Sequence, residues 1–116
     1  MIDALVNAGV KLIALTDHNN TRVAEYAKIY IEEKYPECGY IIGEEIDSDY
    51  GAIIAYGLPK EIPVELGKKL PIEYIIENIH EQGGLAVVAH PFHPAMGIFK
   101  TFGGLKKSQI TNFDFD

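Results

Sequence analysis

Residues 71–91 read PIEYIIENIHEQGGLAVVAHP, and this stretch decides the fold that the sequence predicts. Its isoleucines recur at i, i+3, i+4 and i+7, the spacing of one face of an amphipathic helix: Ile72, Ile75, Ile76 and Ile79. Pro71 is suited to the first position of that helix, and Gly83-Gly84 ends it. The apolar run 85–89 that follows is typical of a buried parallel strand, and it leads directly to His90.

The same alternation of helix and strand runs through the first part of the chain. Residues 2–8 carry an apolar stripe at helical spacing, and residues 10–15 read as a mostly buried strand. A second helix begins at Asn20 or Thr21, either of which can cap it, and ends before Pro36. A helix between two strands predicts a crossover unit with parallel strands.

The middle of the chain predicts a strand pair followed by a long connection. Strands at 40–46 and 52–56 are separated by a short turn, which favours an antiparallel hairpin. Residues 58–70 read as a connection, and residues 95–116 read as loops with one short helix. This order predicts a single α/β domain over residues 1–116, with mostly parallel strands, crossover helices and one hairpin. We expect residues 95–116 to be its least defined part.

The charge balance bears on the partners that the protein can have. Seventeen acidic against ten basic residues give a net charge of −7. We therefore expect no nucleic-acid partner, since that affinity comes mostly from lysine and arginine neutralising phosphates. The pairs Lys68-Lys69 and Lys106-Lys107 read as solvated side chains and not as a phosphate-binding patch. Carboxylates, in contrast, suit divalent cations.

The sequence predicts neither a membrane segment nor a secretory signal. No apolar run reaches the ~18 residues that a transmembrane helix needs, and residues 1–6 lack the basic region of a signal. Cys38 is the single cysteine, so an internal disulfide cannot form, and we expect a cytoplasmic protein. Abundant isoleucine with no tryptophan is typical of a heat-adapted source.

Three candidate metal ligands fall at or just after predicted strand ends: His18, Glu45 and His90. Because ligands sit at the carboxyl ends of strands in α/β folds, one sheet could bring the three together at a single rim. Two imidazoles and a carboxylate suit zinc, manganese or iron. A bound cation would lower the pKa of its water, giving a hydroxide that attacks a phosphate ester.

Several of these residues also have a purely structural interpretation. Asp17 could orient a ligand or the attacking water, or it could simply form the turn after the first strand. Glu44 and Glu45 point to opposite faces of a regular strand, and periodicity does not choose between them. His93 lies near enough to the rim to contact substrate, or it is a surface histidine, and His80 reads as solvated.

Three strings in this order and spacing resemble the PHP (polymerase and histidinol phosphatase) family of metal-dependent phosphoesterases. They are LTDHN (15–19), IGEEI (42–46) and EQGGLAVVAHP (81–91), and the resemblance extends to about Pro94. It implies a distorted seven-stranded β/α barrel with a two- or three-metal site on the carboxyl rim. The predicted fold is therefore a partial barrel of this type.

Carried over residue by residue, the resemblance makes His18 and His90 metal ligands. It selects Glu45 as a ligand that bridges two ions and leaves Glu44 facing outward. Asp17 becomes a catalytic neighbour of the metal that orients or deprotonates water. The implied reaction is hydrolysis of a small-molecule phosphate ester by metal-bound hydroxide, with zinc, manganese or iron as the cofactor.

The departures from the family pattern matter as much as the matches. The chain has no His-x-His pair before its first helix and no Asp-x-His pair near its end. Ala52 stands where the family has a histidine, and His93, a candidate substrate contact, stands where many relatives have a phosphate-binding arginine. We therefore expect the central part of a PHP domain, weak or inactive alone, that forms homo-oligomers through exposed sheet edges. The alternative is a non-catalytic α/β oligomerisation or interaction module that keeps remnants of the metal site.

Overall fold

The chain alternates helices and strands in the order that the sequence predicts. The computed structural model describes residues 1–116. Its elements are α1 (Ile2–Asn7), β1 (Leu12–Leu15), α2 (Arg22–Lys34), β2 (Gly39–Asp47), β3 (Ala52–Tyr56), α3 (Ile72–Glu81), β4 (Leu85–Val88) and a 3-10 helix (Lys107–Asn112). Thr21 is the residue that precedes α2. Pro71 was expected at the first position of α3 but is its N-cap, with an extended ψ of 135°.

The four strands form one mixed sheet in the order β1-β2-β3-β4. The pairing of β1 with β2 is parallel, whereas β2 with β3 and β3 with β4 are antiparallel. The α/β class and the hairpin are confirmed, but only one of the three strand pairings is parallel, where mostly parallel pairing was expected. The reason is that the β2–β3 hairpin occupies the free edge of β2, so β4 pairs with β3 instead. Since β4 runs in the same direction as β1 and β2, the carboxyl ends of all three meet at one rim.

The register of the sheet continues past the end of β1. Leu12 pairs with Gly39 and Leu15 with Ile42, and an isolated parallel bridge joins His18 to Glu45 in the same register. The backbone N–H of Glu45 donates to the carbonyl of Asp17 at 3.0 Å. These bonds hold the segment after β1 against the second half of β2.

The main core lies between α3 and one face of the sheet. The four predicted isoleucines of α3 are buried against the strands, where they meet Ile46 of β2 and Ile53 of β3. Full burial of a side chain of this size contributes roughly 1.5–3 kcal/mol. The helical spacing in the sequence therefore identified the face of α3 that packs on the sheet.

The helices all pack on the same face of the sheet. Ile31 of α2 packs on Ile13 of β1, and Tyr40, which is paired with Ile13, lies on the same face of β2 as Ile46. The opposite face has no helix over it, and there Leu12 and Leu85 are 59% and 53% exposed. The structure is thus an open mixed sheet with its helices on one side.

Residues 95–116, expected to be the least defined part, are packed on the main core. Ile98 and Leu105 are buried there. Asp116 reaches the outer edge of β4, where its N–H donates to the Ala86 carbonyl at 2.9 Å and its carboxylate accepts the Ala86 N–H at 2.8 Å. The carboxylate also lies 2.7 Å from the Nε2 atom of His80, whose side chain is 30% exposed. Of the two sheet edges, β1 is the more open.

No helix in the structure combines the length and the apolar character needed to cross a membrane.

Candidate functional site

A small cleft of roughly 110 Å³ lies at the rim where β1, β2 and β4 end. All three predicted metal ligands line it: His18, Glu45 and His90. Asp47, Lys69 and Lys100 line the same cleft. The shared direction of the three strands explains this convergence, because each strand delivers its polar residue at the same end.

The ionisable side chains of the cleft form two imidazole–carboxylate pairs. His18 Nε2 lies 3.3 Å from Asp47 Oδ1, and His90 Nε2 lies 3.1 Å from Glu45 Oε1. All four side chains are partly exposed to the cleft. No three histidine, cysteine or acidic side chains surround a single point closely enough to form a metal-binding group.

The chemistry of the donor set nevertheless fits a divalent transition metal. Two imidazoles and two carboxylates are the ligand types that zinc, manganese and iron share. In this structure His90 is hydrogen-bonded to Glu45, whereas His18 makes only an ion-pair contact with Asp47. A cation would have to replace both contacts with bonds to itself.

Asp47 is a site residue that the sequence reasoning missed. It follows Glu45 by two positions in β2 and therefore projects from the same face of the sheet. Asn19 holds it at two points: its Nδ2 donates to Asp47 Oδ2 at 3.0 Å, and its Oδ1 accepts the Asp47 N–H at 3.0 Å. Strand alternation alone, applied from Glu45, would have found Asp47.

The only two non-glycine residues with positive φ lie in or beside the cleft. They are Asn19, with φ of 52°, and His90, with φ of 26°. Non-glycine residues populate this backbone region sparsely, at a cost on the order of 1–3 kcal/mol for each. The tightly packed loop after β4 holds His90 in that conformation, since the backbone of Gly97 leaves no room for a Cβ beside the His90 carbonyl.

Ala52 also lines the cleft, directly across the sheet from Asp47. Its carbonyl accepts the N–H of Ala89, the residue before His90. Residue 52, where the PHP pattern has a histidine, therefore faces this cleft. In this chain it contributes a methyl group instead of a metal donor.

Asp17 and Glu44 lie on the other face of the sheet from the cleft. His18 is paired with Glu45, so the residues that precede each of them point the opposite way. Burial, and after it the charge of Asp17, raise the pKa of Tyr40 to about 12, which fits an Asp17 carboxylate on the helix side. A catalytic role for Asp17 stays a prediction, and its observed contact with the site is the backbone bond to Glu45.

Glu44 faces away from the cleft, and it is fully buried. Its Oε2 accepts the N–H of Ile62 at 3.0 Å, while its Oε1 has no hydrogen-bond partner. Burial raises the pKa of this carboxyl to about 7. Glu44 therefore ties β2 to the connection between β3 and α3.

His93 is exposed and does not line the cleft. Its Nδ1 accepts the N–H groups of Ala95 and Met96 at 3.3 and 3.1 Å, and its ring centre lies 5.8 Å from that of His90. These bonds shape the loop after β4. Contact with substrate stays a prediction for this residue.

The chain is similar to MJ1587, an uncharacterized protein of Methanocaldococcus jannaschii, with 41% identity over 108 residues. The match covers 93% of this chain and 56% of that protein, so the chain spans little more than half of the relative's length. No known protein family has a sequence model that matches the chain.

Proposed function

We propose that this chain is part of a PHP-like metal-dependent phosphoesterase that hydrolyses a small-molecule phosphate ester. The observation that carries the proposal is that His18, Glu45 and His90, from three separate strands, line one small cleft. His18 and His90 are 72 positions apart in the chain, so their meeting in one cleft is not a consequence of proximity in sequence. The activity and substrates of the whole protein belong to the same proposal.

The layout of the sheet supports a partial distorted barrel. In a β/α barrel the helices cover the outer face of the strands, and the active site lies at their carboxyl ends. Here the helices lie on one face only, and the cleft lies at the carboxyl rim of three strands. The uncovered face with Leu12 and Leu85 would then be the barrel interior.

The donor set would hold zinc or manganese, or iron, through His18, Glu45 and His90. When bound, such a cation supplies a Lewis acid and lowers the pKa of water towards neutrality. Asp47 lies in ion-pair contact with His18, and Asn19 keeps Asp47 in place. Asp17 fixes the position of Glu45 through its backbone carbonyl, and its proposed catalytic role is to orient or deprotonate water.

Calorimetric titration with Mn²⁺ and Zn²⁺ tests the proposal, followed by a generic phosphatase assay with manganese. We expect His90→Ala to weaken metal binding at least tenfold and to abolish whatever weak hydrolysis the chain shows. His80→Gln is the matched control, since His80 lies outside the cleft on α3. Equal metal affinity in the wild type and His90→Ala would contradict the proposal.

The alternative of a non-catalytic interaction module is favoured by one observation, an apolar stripe on α2. Val23, Tyr26 and Tyr30 follow one another at helical spacing and are exposed, Tyr26 to 75%. They line a groove of about 400 Å³ together with Ile2 of α1. If this stripe joins two copies, light scattering will show a dimer that Tyr26→Glu converts to a monomer. A monomeric wild type would contradict the alternative.

A further inference from the structure

Two lysines that line the cleft form no ion pair in the protein. Lys69 comes from the connection before α3, and Lys100 comes from the segment after β4. The lysines that do form ion pairs lie elsewhere: Lys28, Lys34 and Lys68. Lys68 Nζ lies 2.5 Å from Glu65 Oε2, so Lys68 is in an ion pair whereas the adjacent Lys69 is not.

The backbone beside Lys69 is fixed to the strand that carries the site. Leu70 donates its N–H to the Asp47 carbonyl at 3.2 Å, and its carbonyl accepts the N–H of Asp49 at 3.0 Å. Lys69 therefore directly precedes a residue whose backbone is hydrogen-bonded to the end of β2. Besides the cleft, it lines a neighbouring hollow of about 410 Å³ that also contains His18 and Asp47.

The backbone of Lys100 is held by a tightly packed loop. Its N–H donates to the Gly97 carbonyl at 3.0 Å. A Cβ at Gly104 would lie 2.5 Å from the Lys100 carbonyl oxygen and 2.6 Å from its nitrogen, so only glycine fits there. Lys100 itself is half-buried, which limits the directions in which its side chain can extend.

The cleft is too small for a whole metabolite. Its volume of roughly 110 Å³ compares with the ~300–1,000 Å³ of pockets that enclose drug-sized ligands. Only a small head group can enter, with the rest of the molecule outside. No arginine is available to grip that group, because the single arginine of the chain, Arg22, lies on α2 away from the cleft.

We propose that Lys69 and Lys100 bind the oxygens of a terminal phosphate group, and that the substrate class is a phosphomonoester. This inference rests on the proposed function for its placement in a reaction. A phosphomonoester carries a charge of about −1.5 to −2 at neutral pH, because its second pKa is near 6. Lys69 and Lys100 line the cleft and form no ion pair, so two ammonium charges are available to match that charge, whereas a diester carries a single negative charge. Lysine is a common phosphate ligand that acts as a point charge.

The test is binding of three probes in the absence of metal, at fixed ionic strength: inorganic phosphate, methyl phosphate and dimethyl phosphate. We expect Lys69→Gln and Lys100→Gln each to weaken binding of the first two by about tenfold or more, as loss of a charge-assisted hydrogen bond does. Lys60→Gln is the matched control, because Lys60 lies in the same connection as Lys69 but outside the cleft. It should bind like the wild type.

A separate Mn²⁺ titration of the same variants distinguishes this inference from the proposed function. If the lysine variants lose phosphate binding while the wild type binds no Mn²⁺, the lysine assignment stands and the metal-dependent function fails. The lysine assignment is overturned if the wild type binds no phosphate, or if both variants bind it as the wild type does. Dimethyl phosphate binding as tightly as methyl phosphate would overturn the monoester preference.

Discussion

Replacing Glu44 by glutamine should stabilise the protein at neutral and alkaline pH and leave its stability nearly unchanged in acid. The Glu44 side chain is fully buried, and one of its two carboxylate oxygens has no hydrogen-bond partner. Burial raises its pKa from the ordinary value of 4.5 to about 7, although the hydrogen bond from the Ile62 N–H acts to lower it. Glutamine has nearly the same shape and keeps an oxygen for that N–H, but it carries no charge at any pH.

The sign of the effect follows from the direction of the pKa shift. A carboxyl that binds its proton more tightly in the folded chain stabilises the fold below pH 4.5, and that stabilisation is lost as the pH rises through about 7. A pKa rise of about 2.5, at ~1.36 kcal/mol for each unit of pKa, corresponds to at most about 3 kcal/mol. The glutamine variant escapes this loss, so its advantage grows across the same pH window.

Urea unfolding followed by circular dichroism, at pH values from about 4 to about 8, measures the difference. Glu33→Gln is the control, because it removes the same charge from an exposed position on α2. The lowered pKa values of Asp3 and Asp116 act in the opposite direction, but they are common to all variants and cancel. A difference between wild type and Glu44→Gln that does not change with pH would refute the reasoning.

Three further substitutions test the core and the site. Ile75→Ala removes a fully buried side chain of α3 and should lower the free energy of unfolding by about 2–5 kcal/mol, measured by urea denaturation; a loss below ~1 kcal/mol would count against the described core. Ala52→His adds an imidazole opposite Asp47 and should raise Zn²⁺ affinity at least tenfold by calorimetry, and unchanged affinity would mean that residue 52 does not face the cation. Asn19→Ala loses two hydrogen bonds to Asp47 and keeps a strained φ, whereas Asn19→Gly loses the same bonds but relieves the strain. Thermal unfolding should therefore show the alanine variant to be less stable than the glycine variant.

Local pattern was sufficient to predict most of the fold. The spacing of the α3 isoleucines identified the face that packs on the sheet, because helix geometry allows only one such face. The short turn between residues 47 and 52 identified the β2–β3 hairpin for a similar reason. The pairing of β4 was not predictable in this way. It depends on which strand edge is free after the hairpin forms, and local pattern does not record that.

The same distinction separates the site residues that were predicted from those that were missed. His18 and His90 were found because they stand at strand ends, a position that sequence pattern can locate, whereas the choice of Glu45 over Glu44 came from the family resemblance. Lys69 and Lys100 lie in connections with no periodicity, so only the folded chain shows that they reach the cleft. The buried state of Glu44 was missed because the connection that covers it could not be placed from the sequence.

The proposed function requires that His18 and His90 bind one cation together. Titration of the isotopically labelled protein with Zn²⁺, followed through the imidazole NMR signals of its four histidines, shows whether they do. We expect the signals of His18 and His90 to change together with the same saturation curve while those of His80 stay unchanged. Signals of His18 and His90 that stay unchanged, or that respond at different zinc concentrations, would contradict it.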